Sequence, residues 1–446
     1  MSEFWSASLA DTVKNSELLI SNRQRLDDVK QWLNLYSENF PTSSNQGTTQ
    51  LPFQRWFHFK EAFSPKFVTD TLGALPYRVH SCVDPFGGSG TTALTARMLG
   101  VASTSIEINP FLADLIEAKI TPVTASSFCR NYESLIENLA ISAEDHRLVD
   151  GMPASMTEPG IKGRYVFPAD VFATIRAIVK ATSKLPTQEA RLLKVLLGAV
   201  LVPNSNVLIN GKGRRYRKAW SDKQRTAADL IDSLDLAVDN AAKDLTTYAG
   251  LPRGNHRVLR GDSRRELTKI IAADVAIFSP PYPNSFDYTD VYNLELWMLG
   301  YLRSVSDNRT LRGNTLRSHV QTKWHVSTPA FKSERLLDVL ENLRQARSEL
   351  WNPNIPEMVG FYFDDLFEVF TQLQRLLPLG HHAVVAIGDS QYAGIHINVA
   401  EILAEAVSGI GFKLSQQGAI RSMRSSSQHG GKFDLSEHCL VFERIS

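Results

Sequence analysis

The sequence predicts an α/β fold in which one open, mostly parallel β-sheet is interrupted by a helical insertion. From residue 79 onward, short apolar segments that end in turn residues alternate with helical segments, which is the pattern of βαβ units. Between residues 126 and 255 the strand signals stop and helical periodicity dominates. The length of 446 residues allows two or three structural units. A content of 43% hydrophobic and 21% charged residues excludes a disordered, collagenous or coiled-coil chain.

Four regions follow one another along the chain. Residues 1–50 are predicted as a helical extension, with an amphipathic helix over 5–40. Residues 51–125 hold the strand RVHSCVD, the helix TTALTARMLG, the strand STSIE and the helix FLADLIEAK. Residues 126–255 form the helical insertion. Residues 256–446 supply the late strands HRVLR, DVAIF, AVVAIGD and HCLVFER.

Charge, hydropathy and cysteine spacing narrow the class of protein. The 48 Lys and Arg residues nearly balance the 47 Asp and Glu residues, so any basic surface for nucleic acid must be local. The longest strongly apolar stretch, 192–202, contains a lysine and is too short to span a membrane. The N-terminus lacks signal-peptide features, and the three cysteines are scattered without a CxxC pair. We therefore expect a cytoplasmic enzyme without a disulfide framework or a metal site.

The segment DPFGGSGTT, Asp84 to Thr92, follows a strand and begins a helix. Glycines let a backbone approach a ligand closely, and a helix N-terminus offers unpaired N–H groups. The segment matches neither the P-loop GxxxxGK[ST], nor the nucleophile elbow GxSxG, nor the dinucleotide motif GxGxxG. Glu107 ends the next strand, where a carboxylate can accept hydrogen bonds from both ribose hydroxyls. The combination favours an adenosine-containing cofactor other than a dinucleotide over an ordinary strand-to-helix turn.

The segment Ser279-Pro280-Pro281-Tyr282 directly follows the apolar strand DVAIF. Two consecutive prolines remove two backbone donors and leave carbonyl oxygens rigidly presented. Such a turn can hold an exocyclic amine by both hydrogens, and Tyr282 offers a face on which an extruded base can stack. Taken alone, the segment is better explained as a turn that ends a strand.

Together, DPFGGSGTT, IEINP and SPPY resemble the motifs of the amino-methyltransferases of DNA, which use S-adenosylmethionine (AdoMet). The resemblance covers about 51–125 and 255–446. It implies the class I AdoMet-dependent methyltransferase fold, a Rossmann-like, mostly parallel sheet of seven strands. It further implies that the glycine turn surrounds the methionine end of AdoMet, where side chains at Gly88 or Gly90 would intrude. The implied cofactor-binding residues are Phe63, Asp84, Phe86, Gly87, Gly88, Gly90, Thr91, Glu107, Asn109 and Asp262.

Two of these cofactor residues lie in further segments that resemble the family. In GDS, Asp262 is the implied acceptor for the amino group of the cofactor's adenine. Phe63 belongs to RWFHFKEAFSPKF, which is similar to the family's aromatic segment over the methionine moiety. Ala62 stands where many relatives have lysine, which leaves the chemistry at that position open.

The resemblance also implies the reaction. SPPY is similar to the family's catalytic motif, which makes Ser279, Pro280, Pro281 and Tyr282 the implied catalytic residues. Serine in the first position is most typical of enzymes that methylate N4 of cytosine, and Asn or Asp of those that methylate N6 of adenine. The implied setting is restriction–modification or host defence, with double-stranded DNA as substrate and a cognate restriction endonuclease or defence subunit as partner. The alternatives are adenine-N6 methylation of DNA, methylation of an RNA exocyclic amine, and an inactive subunit that only recognises DNA.

The densest basic run of the chain is GKGRRYRK, residues 211–218. Clustered cations neutralise phosphates and interleaved aromatic rings stack on bases, although such runs are also common as solvated loops. We expect a loop here that contacts DNA. The stretch after SPPY is a second candidate, because its aromatic residues are placed to line a base pocket. The predicted DNA-binding residues are Lys212, Arg214, Arg215, Arg217, Lys218, Phe286 and Tyr288.

Overall fold

A seven-stranded β-sheet is the centre of the computed structural model. The structure describes residues 9–15, 31–32, 34–35, 48, 50–59, 61–210, 213–218, 220–251, 254–284, 286–322, 333–424 and 434–446. The strands of the sheet are β1 Ser81–Asp84, β2 Ala102–Glu107, β5 His256–Arg260, β6 Val275–Phe278, β7 His382–Gly388, β10 Phe412–Arg424 and β11 Asp434–Arg444. Their order across the sheet is β10-β11-β7-β6-β1-β2-β5.

The strand directions confirm the predicted mostly parallel sheet. The strands β1, β2, β5, β6 and β7 pair in parallel, and β11 runs antiparallel to both β7 and β10. The chain builds β1, β2 and β5 outward on one side, and then returns to β6 on the other side of β1. Ligands of open α/β sheets bind beyond the carboxyl ends of the strands at such a reversal. The fold therefore places a binding site above β1 and β6.

Helices cover both faces of the sheet and build the insertion. Those before the insertion are α1 Leu9–Lys14, α2 Pro65–Ala74, α3 Thr91–Leu99 and α4 Pro110–Ile120. The insertion contains α5 Ala125–Glu137, α6 Ala169–Ala181, α7 Thr187–Leu201 and α8 Ala227–Thr247. Those of the second half are α9 Ser263–Glu266, α10 Tyr288–Val291, α11 Asn293–Met298, α12 Val305–Gly313, α13 Glu334–Gln345, α14 Ile355–Leu376 and α15 Val399–Ser408.

The strand β6 shows why the sheet is buried on both sides. All four of its residues are buried, and alternate side chains point to opposite faces. Val275 and Ile277 join the core cluster that also contains residues of α3, α4 and α7. Ala276 and Phe278 join a second cluster, which is built largely from α14 and α15. The SPPY turn therefore follows a strand that is buried on both faces of the sheet.

The insertion differs from the prediction in one respect. The strands β3 Val207–Asn210 and β4 Gly213–Tyr216 pair in antiparallel fashion, with Leu208 opposite Arg215. The expectation of a loop for the basic run was therefore wrong for 213–216. A second small hairpin, β8 Ser390–Tyr392 with β9 Ile395–Ile397, follows β7.

Two further expectations concern the N-terminus and the membrane. Most of the helix predicted over 5–40 lies outside the described residues, apart from α1 and a few residues near Trp32. Thr12 and Asn15 dock the α1 region onto α2, because Thr12 Oγ1 donates to the Thr69 carbonyl at 2.9 Å and Asn15 Nδ2 to the Leu75 carbonyl at 2.8 Å. Within the described ranges, no helix combines the length and the apolar character needed to cross a membrane.

Candidate active site

A cleft opens beyond the carboxyl ends of β1, β2, β5 and β6. The cleft brings most of the predicted residues together, from segments far apart in sequence. Those that line it are Phe63, Phe86, Gly87, Gly88, Thr91, Glu107, Asn109, Asp262, Ser279, Pro281, Phe286 and Tyr288. Of the predicted cofactor-binding and catalytic residues, four are not part of its lining: Asp84, Gly90, Pro280 and Tyr282.

Four backbone N–H groups in and beside the glycine turn donate hydrogen bonds to other groups of the protein. The Gly87 N–H donates to the Ile106 carbonyl at 2.8 Å, and the Gly90 N–H to the Gly87 carbonyl at 2.8 Å. The Gly88 N–H donates to Glu107 Oε2 at 2.7 Å, and the Phe86 N–H to Asp84 Oδ1 at 2.9 Å. These four groups donate within the protein and are not available to a ligand.

The glycines of the turn serve different purposes. Gly88 and Gly90 have φ of +52° and +79°, which favour glycine. A Cβ on Gly88 would lie 3.4 Å from the Phe59 ring, at the cleft. A Cβ on Gly90 would lie 3.0 Å from Ile116 Cγ1 in α4, so a side chain there would meet the core and not the methionine end of a cofactor. Gly87 allows the same close packing, because its Cβ would lie 2.6 Å from Ile116 Cδ1.

Glu107 and Asp84 are buried carboxylic acids at the ends of β2 and β1. Burial raises the pKa of Glu107 to about 7, although the N–H groups of Gly88 and Asn109 donate to it. Burial likewise raises the pKa of Asp84 to about 7, although hydrogen bonds from Thr92 and Phe86 lower it. Glu107 faces the cleft, whereas Asp84 lies beneath the turn and holds it. Their roles are therefore different in this structure.

Asn109 combines a structural bond with an open donor. Its Oδ1 accepts from the Phe111 N–H at 3.0 Å and so caps the N-terminus of α4. Its Nδ2 is buried and has no hydrogen-bond partner among the described residues, although Asn109 lines the cleft. A buried donor without a partner is costly, and a ligand hydroxyl or carboxylate would satisfy it. This observation fits a cofactor that presents oxygen atoms beside Glu107.

Asp262 is held by a network that the sequence did not reveal. Arg264 Nη2 pairs with Asp262 Oδ2 at 2.8 Å, and Arg264 Nη1 with Asp365 Oδ1 at 2.6 Å. The side chain of Asp365 is fully buried in α14 and also pairs with Arg317 Nη2 at 2.6 Å. The network joins the end of β5 to the segment 314–319, which forms another wall of the cleft. It fixes the Asp262 carboxylate in the wall of the cleft.

Among the described residues, the charged side chains that line the cleft are acidic. Glu61, Glu107 and Asp262 line it, and the described lining residues include no lysine or arginine. Glu61 Oε2 accepts from the Tyr292 hydroxyl at 2.8 Å, which keeps that carboxylate in place. An acidic wall suits the positive sulfonium of AdoMet and disfavours the phosphates of nucleotide cofactors. The residues present therefore fit the implied cofactor.

The aromatic segment that follows Leu51 is anchored by the insertion. Asp244 of α8 is buried, and its Oδ2 accepts from the Phe53 N–H at 2.9 Å, from Trp56 Nε1 at 2.9 Å and from Arg55 Nε at 3.1 Å. A few residues further, the Phe59 ring stacks on Tyr292 at 5.4 Å with an angle of 10° between the planes. The insertion thus holds the chain that leads to Phe59 and Phe63 over the cleft.

The SPPY turn presents only part of itself to the cleft. Ser279 and Pro281 line the cleft, whereas Pro280 is buried. Ser279 Oγ lies 3.5 Å from the Tyr282 hydroxyl, which donates to the buried Glu437. The half-buried Tyr282 ring packs against the core cluster that contains α14. Tyr282 therefore borders the cleft through Ser279 and is fixed from behind.

Two further walls complete the pocket, and the sequence revealed only one of them. Phe286 and Tyr288 pack edge to face at 4.7 Å. The segment from Leu311 to His319 was not singled out, because no motif marks it. His319 is buried, and burial lowers its pKa, so the imidazole is neutral. Its Nε2 lies 3.0 Å from Thr315 Oγ1. The only feature of the sequence that could have drawn attention to this segment was a histidine near a turn.

The basic run divides into two kinds of residue. Arg214, Arg215 and Lys218 are exposed. Arg217 is instead occupied by the chain itself, because it donates to the Ser205 carbonyl at 3.1 Å and to the Val202 carbonyl at 3.0 Å. Lys212 lies outside the described residues. The strand β4 contacts α10, so the hairpin lies beside the stretch that follows SPPY.

Comparison with known proteins gives a distant but extended similarity. No protein-family model matches the chain. It is 27% identical over 432 residues to the type II methyltransferase M.AvaI of Nostoc sp. (strain PCC 7120) and to that of Anabaena variabilis, covering 87% of this chain and 86% of each relative. It is 24% identical over 454 residues to the type II methyltransferase M.BsoBI of Geobacillus stearothermophilus, covering 92% of this chain and 89% of that protein. The similarity extends beyond the segments that carry the motifs. The chain is thus a distant homologue of type II methyltransferases over most of its length.

Proposed function

We propose that the protein is a type II DNA methyltransferase that transfers the methyl group of AdoMet to the exocyclic amine of a flipped base, N4 of cytosine. The observation that carries the proposal is the single cleft into which the glycine turn, Glu107, Ser279 and Pro281 all converge. The homology to type II methyltransferases supports the reaction class. The serine of SPPY supports cytosine as the target base.

The cofactor side of the cleft has a donor, acceptors and a shape that suit AdoMet. Bound AdoMet supplies a methyl group on a positively charged sulfur. Glu107 would accept from the ribose hydroxyls, and Asn109 Nδ2 would donate to one of their oxygens. Asp262, fixed by Arg264, would accept from the adenine amino group. Phe63 would cover the methionine end, and Gly88 leaves room beside Phe59 for that end.

The base side of the cleft supplies positioning rather than a nucleophile. Ser279 and the rigid carbonyls around Pro280 and Pro281 would hold both hydrogens of the amine, so that its lone pair faces the methyl group. Phe286 and Tyr288 would supply aromatic surface for a base removed from the stack, and Tyr282 would border the base through Ser279. Displacement at a sulfonium needs little further catalysis when the two groups are aligned.

The insertion is the proposed DNA-recognition region. The exposed Arg214, Arg215 and Lys218 would neutralise phosphates. Their hairpin lies against α10, close to the aromatic wall of the pocket. A duplex held by the hairpin would therefore lie within reach of the cleft. Action on cellular DNA would place the protein in the cytoplasm, with a restriction endonuclease of the same recognition sequence as its partner.

The reaction is tested by incubating the protein with AdoMet and plasmid DNA, and analysing the nucleosides by mass spectrometry. N4-methyldeoxycytidine is the expected product, and Tyr282→Ala is the matched control of low activity. N6-methyldeoxyadenosine would correct the target base. Methylation of tRNA but not of DNA would establish the RNA alternative. Binding of AdoMet and DNA without any product would establish an inactive recognition subunit.

A further inference from the structure

The hydroxyl group of Tyr282 is held by an acid from the opposite end of the sequence. It donates a hydrogen bond to Glu437 Oε1 in β11, 155 residues further along the chain. Glu437 is 2% exposed, so water does not compete for this bond. A hydrogen bond in the low-dielectric interior of a protein is stronger than one exposed to water. The bond therefore restrains the plane of the Tyr282 ring more firmly than packing alone.

Glu437 is itself rigidly placed by the sheet. It lies opposite Gly388 of β7 and opposite Arg421 of β10, so β11 is an interior strand at this point. The Asp389 N–H donates to the Ser436 carbonyl at 3.0 Å, which extends the pairing beyond the end of β7. A carboxylate on an interior strand is a more fixed acceptor than one on a loop.

The same part of the fold also holds the residue that follows Tyr282. The hydroxyl group of Tyr392, in β8 directly after β7, donates to the Pro283 carbonyl at 2.9 Å. Tyr392 is buried and Glu437 lies on the strand beside β7. Two hydrogen bonds from the region around β7 and β11 thus fix the exit of the SPPY turn. Its entry is fixed by β6 itself.

We propose that Glu437 is a positioning residue for base methylation, which fixes the ring of Tyr282 and through it the Ser279 hydroxyl. The inference rests on the proposed function, because it concerns the base side of the cleft. Glu437 does not line the cleft and touches neither reactant. Its replacement should leave the cofactor side intact and allow Tyr282 to adopt several orientations. The acceptor amine would then be in line with the methyl group for a smaller fraction of the time.

A double-mutant cycle tests this coupling. Glu437→Ala should lower the single-turnover methylation rate roughly 10- to 100-fold, the range for the loss of a buried hydrogen-bond partner. AdoMet affinity should change less than about twofold. In a Tyr282→Phe background the same substitution should lower the rate no further, because the bond is already absent. Glu437→Gln, which keeps an acceptor oxygen, should recover most of the rate.

The matched control is Glu443→Ala on the same strand, opposite His382 at its far end. It should leave the rate unchanged. Equal rate losses from Glu437→Ala with and without the Tyr282 hydroxyl would overturn the inference, as would a parallel loss of AdoMet affinity. If the wild-type protein methylates no DNA, the proposed function fails instead. The unfolding free energies of wild type, Glu437→Ala, Tyr282→Phe and the double variant would then still show whether the two side chains are coupled.

Discussion

Replacement of Glu107 by glutamine should abolish most of the pH dependence of cofactor binding. Burial raises the pKa of this acid to about 7 in the free protein. The ionised form accepts hydrogen bonds from ribose hydroxyls and attracts the sulfonium, so AdoMet binding favours loss of the proton. Wild-type affinity for AdoMet should therefore fall as the pH falls below about 7, by up to about tenfold per pH unit. Glu107→Gln should bind more weakly at pH 8, with a nearly flat profile.

The same burial predicts an effect on stability. The folded protein without cofactor binds the Glu107 proton more tightly than the unfolded chain, because the pKa rises from 4.5 to about 7. Stability is therefore lost as the pH rises through this interval, by about 3 kcal/mol in total. The glutamine variant has no such charge. Relative to wild type, its free energy of unfolding should gain about 3 kcal/mol between pH 5 and pH 8.

Calorimetric titration with AdoMet at several pH values and urea denaturation at pH 5 and pH 8 measure the two effects. Glu133→Gln is the matched control, because Glu133 is exposed on α5 and remote from the cleft lining. An unchanged pH profile of binding in Glu107→Gln would refute the assignment. If that profile becomes flat in Asp84→Asn instead, the titrating group is Asp84, whose pKa is also raised to about 7.

Three further predictions concern the turn, the hairpin and the insertion. Gly90→Ala and Gly88→Ala should each lose about 1–2 kcal/mol of stability because of their positive φ, but only Gly88→Ala should also weaken AdoMet binding in a calorimetric titration. Arg214→Ala with Arg215→Ala should lower the slope of log affinity for DNA against log salt by about 0.9 for each phosphate that is no longer neutralised, with AdoMet affinity as the unaffected control. Asp244→Ala should lower the unfolding free energy by about 3–5 kcal/mol, because it removes the buried acceptor of three groups; denaturant unfolding near wild-type values would contradict this role.

Local sequence patterns could predict the elements that build the cleft. The glycine turn, Glu107 and SPPY are each set by a strand and the residues that directly follow it, so alternation and turn residues are sufficient to place them. The parallel order of strands then brings their carboxyl ends to one edge. The expected sheet was confirmed for this reason. The expectation of a loop for the basic run was wrong because the glycines in the sequence GKGRRYRK are compatible both with a loop and with a hairpin.

The groups that the sequence did not reveal share another property. Asp365 meets Arg264 across 101 residues and Glu437 meets Tyr282 across 155 residues. Nothing in the local pattern distinguishes these acids from solvated ones, because their partners are chosen by the packing of α14 and β11. Charged residues are rarely fully buried unless they are paired. The acidic residues within the mostly apolar run FYFDDLFEVF of α14, which contains Asp365, were the only local sign of such a pairing.

The insertion contacts two parts of the chain that line the cleft. This arrangement would place the proposed DNA-recognition region next to the proposed site of methyl transfer. On the cofactor side, Asp244 of α8 holds the segment that leads to Phe59. On the base side, β4 contacts α10, whose first residue, Tyr288, lines the pocket. Phe59 also stacks on Tyr292, so the two sides meet across the cleft. A duplex bound to the hairpin, as proposed, would therefore lie close to the aromatic residues that line the cleft.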